Sequence, residues 1–506
     1  MYFFKLKNMK RRTLFFYLTF LSNVVFSQDV FSSAFSEIKN DLVSWDPIRG
    51  EWLATTILAM KDNATIPDRT FPEEYTPYEM LTMIPLQKRK EIAEKVARQQ
   101  GTQNTQFSRE WNFVNLFFNH SFCETSIGRS YGDPHLNSFD NASYSFQTVG
   151  EFVLSKSKLI PFEVQVRQMP QDQSFSLNNA VAMNVGGDRL SFYTDEKPDN
   201  QKQAFRLNGV GTQLSGRTYF LPKGGTIRLE GINYIVSWPT GESVIIDNRS
   251  TGKMKFVNIT VQVFKCDENQ YEGLLGNLNG NHNDDFNGRD NNRQRPVFIS
   301  SYGNFGLEQA TAIAEKEYLN FLARDFADDW RVNDQTTLFD YSIGESTASF
   351  TDRSFPYIHY TLYDLSLDRQ NSARRRCEEM GISPAEMNGC IYDQGFLNIP
   401  PNPIPNPSRP TSGGTMQKLN YPALNTNQGL FMNKGDENTK PSTIEKPQDI
   451  EREINQNERG NQEEIIKVPN VITIPKPVRT EPSKPVSPSK PIQNTTPIKK
   501  EIKGKG

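Results

Sequence analysis

Between about residue 121 and residue 264 the apolar positions recur with a period of two, and no other feature narrows the choice of fold so far. Phe162, Val164 and Val166 alternate with polar neighbours, as do Ile227 and Leu229, then Tyr234, Val236 and Trp238, then Val257, Ile259, Val261 and Val263. A strand points successive side chains to opposite faces, so this pattern predicts antiparallel strands buried on one side. Gly186-Gly187-Asp188, Pro222-Lys223-Gly224-Gly225 and Pro239-Thr240-Gly241-Glu242 fall between the runs and supply turn chemistry. Many short strands at such spacing build a sandwich. The expected fold class is therefore mainly β, an antiparallel β-sandwich.

Beyond the last long strand lies Gly273-Leu274-Leu275-Gly276-Asn277-Leu278-Asn279-Gly280-Asn281-His282-Asn283-Asp284-Asp285-Phe286. Side-chain oxygens of Asn277, Asn279, Asn283, Asp284 and Asp285 fall within nine positions, and Gly276 and Gly280 let the backbone curl. Ca²⁺ takes about 6 to 8 oxygens of mixed kind. The residues alone allow a second reading, an Asn/Gly turn joining two strands.

Upstream stand Gly132-Asp133-Pro134-His135-Leu136-Asn137-Ser138-Phe139-Asp140 and the strand Gly150-Glu151-Phe152-Val153-Leu154. With the Asn/Asp loop, and in this order, they resemble the von Willebrand factor type D domain over roughly residues 121–300. The resemblance implies a calcium site built from Asp140 with Asn277, Asn279, Asn283, Asp284 and Asp285. One position departs from the pattern: many members carry Cys where Leu275 stands, so a disulfide that usually locks the loop is missing or rerouted.

Some relatives also cut themselves between Asp and Pro of this Gly-Asp-Pro-His motif, which implies self-cleavage between Asp133 and Pro134. The chemistry is reasonable, because an X-Pro amide is a weaker planar bond and the Asp carboxylate sits beside the peptide it attacks. His135 would move the proton. In other members the same four residues shape the strand entry, and that reading stands beside the first.

The remaining chain frames this module. Lys5, Lys7, Lys10, Arg11 and Arg12 precede an apolar run from Leu14 to Phe26, with small Val25 and Ser27 before Gln28; residues 1–27 read as a secretory signal. The run is short of the ~20 residues that span a bilayer, and no membrane span is expected elsewhere. Cys123, Cys266, Cys377 and Cys390 all follow it. Four cysteines allow three connectivities; closeness in sequence favours Cys377 with Cys390, leaving Cys123 with Cys266, and unpaired thiols are the alternative.

Residues 28–120 read as helical, with Pro47 in a first turn, an apolar face of Ile48, Trp52, Leu53, Ile57 and Met60, and a capping box at Thr76-Pro77-Tyr78-Glu79. A further helix from about Leu86 is expected to stop at Gly101, with Lys88-Arg89-Lys90 on its solvated face. Helical period returns over 301–398, where Cys377 and Cys390 would staple a hairpin and Ser383-Pro384-Ala385-Glu386 reads as a capping box. Residues 399–506 are Pro-, Asn-, Lys- and Glu-rich and read as a disordered tail.

A net charge of -2 gives no overall bias toward nucleic acid. No H-E-x-x-H, G-x-S-x-G or P-loop pattern is present, so enzymatic turnover is not expected. The sequence points to a secreted, calcium-binding extracellular protein, adhesive or structural, with protein or glycan partners or copies of itself. A self-processing protein is the alternative.

Overall fold

The computed structural model describes residues 31–102, 108–195, 197–251, 254–286, 288–289, 315–384 and 386–397. The signal-like stretch 1–27 and the tail 399–506 lie outside them, and all described residues belong to the compact unit Met1–Asn420.

The period-two stretch forms strands β1 (Thr125–Tyr131), β2 (His135–Asn137), β3 (Ser143–Ser145), β4 (Gly150–Ser157), β5 (Phe162–Pro170), β6 (Ser176–Val185) and β7 (Asp188–Tyr193). It continues through β8 (Phe205–Leu207), β9 (Val210–Thr212), β10 (Thr218–Phe220), β11 (Thr226–Glu230) and β12 (Asn233–Ser237). The last are β13 (Ser243–Thr251), β14 (Met254–Phe264) and β15 (Tyr271–Glu272). One sheet runs β10-β11-β12-β13-β14-β1-β2-β3 and the other β15-β4-β5-β6-β7-β8-β9. All these pairings are antiparallel, so the mainly β expectation holds.

Phe162, Val164 and Val166 of β5 and Val181 and Met183 of β6 share one core with Val257, Ile259 and Val261 of β14. Each fully buried side chain of this kind contributes roughly 1.5–3 kcal/mol relative to exposure. Trp238 fixes the layers, its indole N–H reaching the carbonyl of Asn184 at 2.8 Å.

The other face of β5 departs from expectation. Alternation predicts that Glu163, Gln165 and Arg167 face water, yet all three are buried, because the chain returns over them after the sandwich. Gln165 receives the N–H of Leu338 and donates to the carbonyl of Thr336, both at 2.8 Å. Arg167 donates to Glu151 at 2.7 Å, and its guanidinium lies 3.6 Å from the centroid of Phe350. Tyr341 completes the cluster by donating to the second oxygen of Glu151 at 2.5 Å. A buried ion pair persists when further contacts offset its desolvation, and the returning segment brings the Tyr341 hydroxyl to Glu151 and the Phe350 ring to Arg167.

Helices occupy 31–45, Pro47–Lys61, Pro77–Met83, Leu86–Thr102 and Ser108–His120. Asp46 caps the second by accepting the N–H groups of Ile48 and Arg49, and the Thr76/Glu79 capping box is formed. Trp52, Leu53 and Ile57 enter a separate helical core with Leu81, Trp111 and Phe117. Three local expectations need correction. Ile48 is 58% exposed; the fourth helix runs past Gly101 to Thr102. Arg89 is buried rather than solvated, donating to the carbonyl of Thr82 at 2.9 Å with its guanidinium over Phe122.

His120 joins helices to sandwich. One ring nitrogen lies 3.0 Å from Asp267 and the other 3.0 Å from the carbonyl of Thr240, beside the Cys123–Cys266 disulfide. Cys377 pairs with Cys390, so the connectivity expected from spacing is the one observed. Their hairpin joins Leu367–Glu379, terminated at Gly381 (φ 70°), to Met387–Tyr392. The expected capping box there is not made: the Ser383 hydroxyl bonds the Glu386 carboxylate, and Glu386 pairs with buried Arg129. Among the described residues no helix is long and apolar enough to cross a membrane.

Replacing Arg167 by Ala leaves Glu151 buried without its cationic partner, and a loss of about 3–5 kcal/mol is expected by chemical denaturation. Ile48→Ala, at an exposed site, is expected to cost under about 0.5 kcal/mol; equal losses at the two positions would contradict the buried-pair account.

Candidate functional site

Antiparallel pairing of β1 with β14 places Thr125 opposite Phe264 and Ser130 opposite Ile259. β2 folds back along β1, with Arg129 opposite Asn137, so the residues after β2 return to the end where β14 finishes, and Asp140 meets the loop after β15 there. Asp140 accepts the backbone N–H of Asn279 on Oδ2 and that of Gly280 on Oδ1, both at 2.9 Å. The loop coils because Gly273, Gly276, Leu278 and Gly280 all have positive φ. At Gly276 a Cβ would stand 1.9 Å from Asp285 Oδ1, so only glycine lets that carboxylate approach.

Asn277 and Asp284 face each other, the amide nitrogen donating to Oδ1 at 3.4 Å. Asn277 Oδ1 and Asp285 Oδ1 are both buried with no hydrogen-bond partner. Buried oxygens are nearly always satisfied, so two orphans beside two further carboxylates form a donor set suited to a hard cation. The other Asp285 oxygen accepts from the Ser138 hydroxyl at 2.5 Å. Burial, and then the charges of Asp140 and Asp284, push the Asp285 carboxyl up to about 7.

Of the six residues expected at this site, Asn277 lies against Asp284 and Asp285, while Asp140 holds the same loop through the N–H groups of Asn279 and Gly280. Asn279 is adjacent, but its Oδ1 is taken by the N–H of Asn281 at 2.7 Å and its amide donates to Asp284 at 2.7 Å. Asn283 stands apart, exposed, its amide donating to Asn281 at 3.3 Å. Where the family pattern has Cys, Leu275 is fully buried, and its methyl lies so close to Gly128 that a Cβ there would sit 2.8 Å away. Packing takes the place of the disulfide.

A second cluster surrounds the Asp133–Pro134 bond. Asp133 and His135 are buried together with Asp393, which the stapled hairpin delivers from 258 residues away. His135 Nε2 lies 3.2 Å from Asp393 Oδ1 and 2.6 Å from Asp133 Oδ1, and Nδ1 lies 3.0 Å from the Ser145 hydroxyl. Helix Met387–Tyr392 comes so near that a Cβ on Gly389 would stand 2.9 Å from the His135 ring.

Burial alone would lower the His135 pKa, but the charges of Asp133 and Asp393 override it and raise it to about 10. Burial, reinforced by Asp393, holds the Asp133 carboxyl well above the usual carboxylate range. Two ligands of one zinc ion, each bonded at about 2.0–2.2 Å, stand more than about 3 Å apart. The 2.6 Å contact instead fits a shared proton.

The sequence did not mark Ser138, Ser145, Gln147 or Asp393. Gln147 donates to both the main-chain carbonyl of Asp133 (2.9 Å) and its side chain (3.0 Å).

In metal-free buffer, Asp285 makes stability fall as pH rises. A carboxyl raised from 3.8 to about 7 holds a proton in the folded state that the unfolded chain has already lost, so each step between those values favours unfolding. Melting with chelator across that window should show the decline and Asp285→Asn should flatten it; a flat wild-type profile would contradict the burial of that charge.

Residues 128–292 match the family model described as the von Willebrand factor type D domain. The curated "Protein mesh" of Bombyx mori is 24% identical over 296 residues, covering 53% of this chain and 17% of the relative. The chain thus corresponds to about a sixth of that protein's length.

Proposed function

We propose that this chain, which carries a von Willebrand factor type D domain, is a secreted, calcium-binding extracellular protein with an adhesive or structural role. The observation that carries the calcium assignment is the pair of buried, unsatisfied oxygens on Asn277 and Asp285, beside Asp284 and the loop bound by Asp140. These four residues would hold the ion with backbone carbonyls and water, and Asn279 and Asn283 would support the loop. The ion's contribution is structural: it neutralises three crowded carboxylates and pins the chain after β15 to the chain after β2. Two disulfides fit an oxidising compartment. Partners on this reading are extracellular proteins or glycans, or further copies of the chain.

A second reading, single-turnover self-processing between Asp133 and Pro134, draws its support from the buried cluster around that bond. The reaction consumes the chain's own peptide and needs no exposed substrate cleft.

Calcium at about 100 times its dissociation constant should add about 2.7 kcal/mol to stability, seen as a raised melting temperature that chelator abolishes. Asp140→Ala combined with Asp285→Ala should remove the difference; identical melts for wild type with and without chelator would end the calcium assignment. Purified wild type incubated at mildly acidic pH should give two pieces on a reducing gel, meeting at Asp133 and Pro134. They should stay joined on a non-reducing gel, because Cys123 and Cys266 lie on opposite sides of the cut.

A further inference from the structure

We propose that Gln147 is a catalytic residue for cleavage of the Asp133–Pro134 bond and that Asp393 is the positioning residue that orients His135 to protonate the leaving nitrogen. This assignment rests on the self-processing reading and names the groups that would perform it.

The amide of Gln147 is held by both ends. Its oxygen accepts the N–H of Ser176 at 3.1 Å, which fixes which end is nitrogen, since an N–H needs an acceptor. Its two N–H groups then face the Asp133 carbonyl oxygen at 2.9 Å and Asp133 Oδ2 at 3.0 Å. One side chain thus polarises the carbonyl to be attacked and restrains the carboxyl that attacks it. A donor already aimed where negative charge develops is the arrangement that stabilises a tetrahedral intermediate.

Gln147 holds Asp133 Oδ2, so Oδ1, which faces His135 Nε2 at 2.6 Å, is the oxygen assigned to attack. Attack on its own main-chain carbonyl carbon closes a five-membered ring. The proton shared with His135 settles on Nε2, and a C–O bond forms from the Asp133 carboxylate as the carbon–nitrogen bond to Pro134 breaks. His135 gives its Nε2 proton to the departing nitrogen, leaving a cyclic anhydride and a free proline amine. Water adds to the anhydride and yields two carboxyl groups, one of which returns its proton to His135. Atoms and charge balance with water as the only co-reactant.

Asp393 faces the His135 nitrogen at 3.2 Å and supplies a negative charge that sustains the imidazolium. The other groups around that ring are Asp133, the Ser145 hydroxyl and the rings of Tyr131 and Tyr392. The hairpin bearing Asp393 is fixed by the Cys377–Cys390 disulfide and by the Arg129–Glu386 pair.

The test follows fragment appearance over time on reducing gels, with mass spectrometry of both new ends, for the full exported chain. Gln147→Leu keeps the volume and removes the donor, and should slow cleavage about 10²–10³-fold. Asp393→Asn should slow it about 10²-fold and move the alkaline limb of the rate profile to lower pH, and Asp393→Glu should recover most of the rate and the profile. Circular dichroism melts confirm that compared variants are folded at the assay temperature, and Gln147→Asn replaces Gln147→Leu if that one is not. Wild type that stays whole at every pH overturns the self-processing reading and this assignment with it. Wild type that cleaves, with Gln147 and Asp393 variants cleaving equally fast and on the same pH profile, overturns the assignment alone.

Discussion

The antiparallel register of β1 against β14, with Gly128 opposite Val261, brings the beginning and the end of the sandwich side by side. Asp140 can bind the N–H groups of Asn279 and Gly280 only because that ladder sets where the two loops emerge. The Asp133 peptide depends on the same ladder, since the Gly132 N–H donates to Asn258 of β14 at 2.9 Å. A one-residue slip would turn Val257, Ile259 and Val261 from the core to the opposite face. Hydrophobic burial thus fixes the geometry of both clusters before any charged group is considered.

Those clusters differ in how they manage excess negative charge. Around the Asn/Asp loop, Asp140 and Asp284 stand near the buried Asp285, and burial together with their charges raises its carboxyl to about 7. Around Asp133 and Asp393 the positive charge is already present as His135, held at 2.6 Å and 3.2 Å. The cost of burying two acids with one imidazole is met there by protons, and the pKa values of Asp133 and His135 both rise.

What the sequence made legible was local or carried by a motif. The alternation of Val257, Ile259, Val261 and Val263 revealed a strand because backbone geometry alone dictates that period. Asp140 and the Asn/Asp loop could be joined through the family pattern, although nothing in the residues states that they meet. Periodicity reports the layer a strand lies on, not what later crosses its other side, so Gln165 and Arg167 read as solvent-facing until the 331–350 segment covered them. Arg89 misled for the same reason, since its neighbours Thr82 and Phe122 are set by packing. Asp393 carried no local signal, and Gln147 sits among ordinary polar strand residues; both gain meaning only when the chain is folded.

The Cys123–Cys266 bridge closes a loop of sequence separation 143 around nearly the whole sandwich. Tension drawn between the helical end and the C-terminal end would enter at Cys123 and cross the sulfurs to Cys266, so the strands enclosed would bear none of it. The Asn/Asp loop lies past the bridge, on the loaded path, whereas Asp140 sits inside the shielded loop. Mechanical work done on this protein from its C-terminal end would therefore reach the contacts between Asp140 and that loop after those that hold the 331–393 segments to the sandwich.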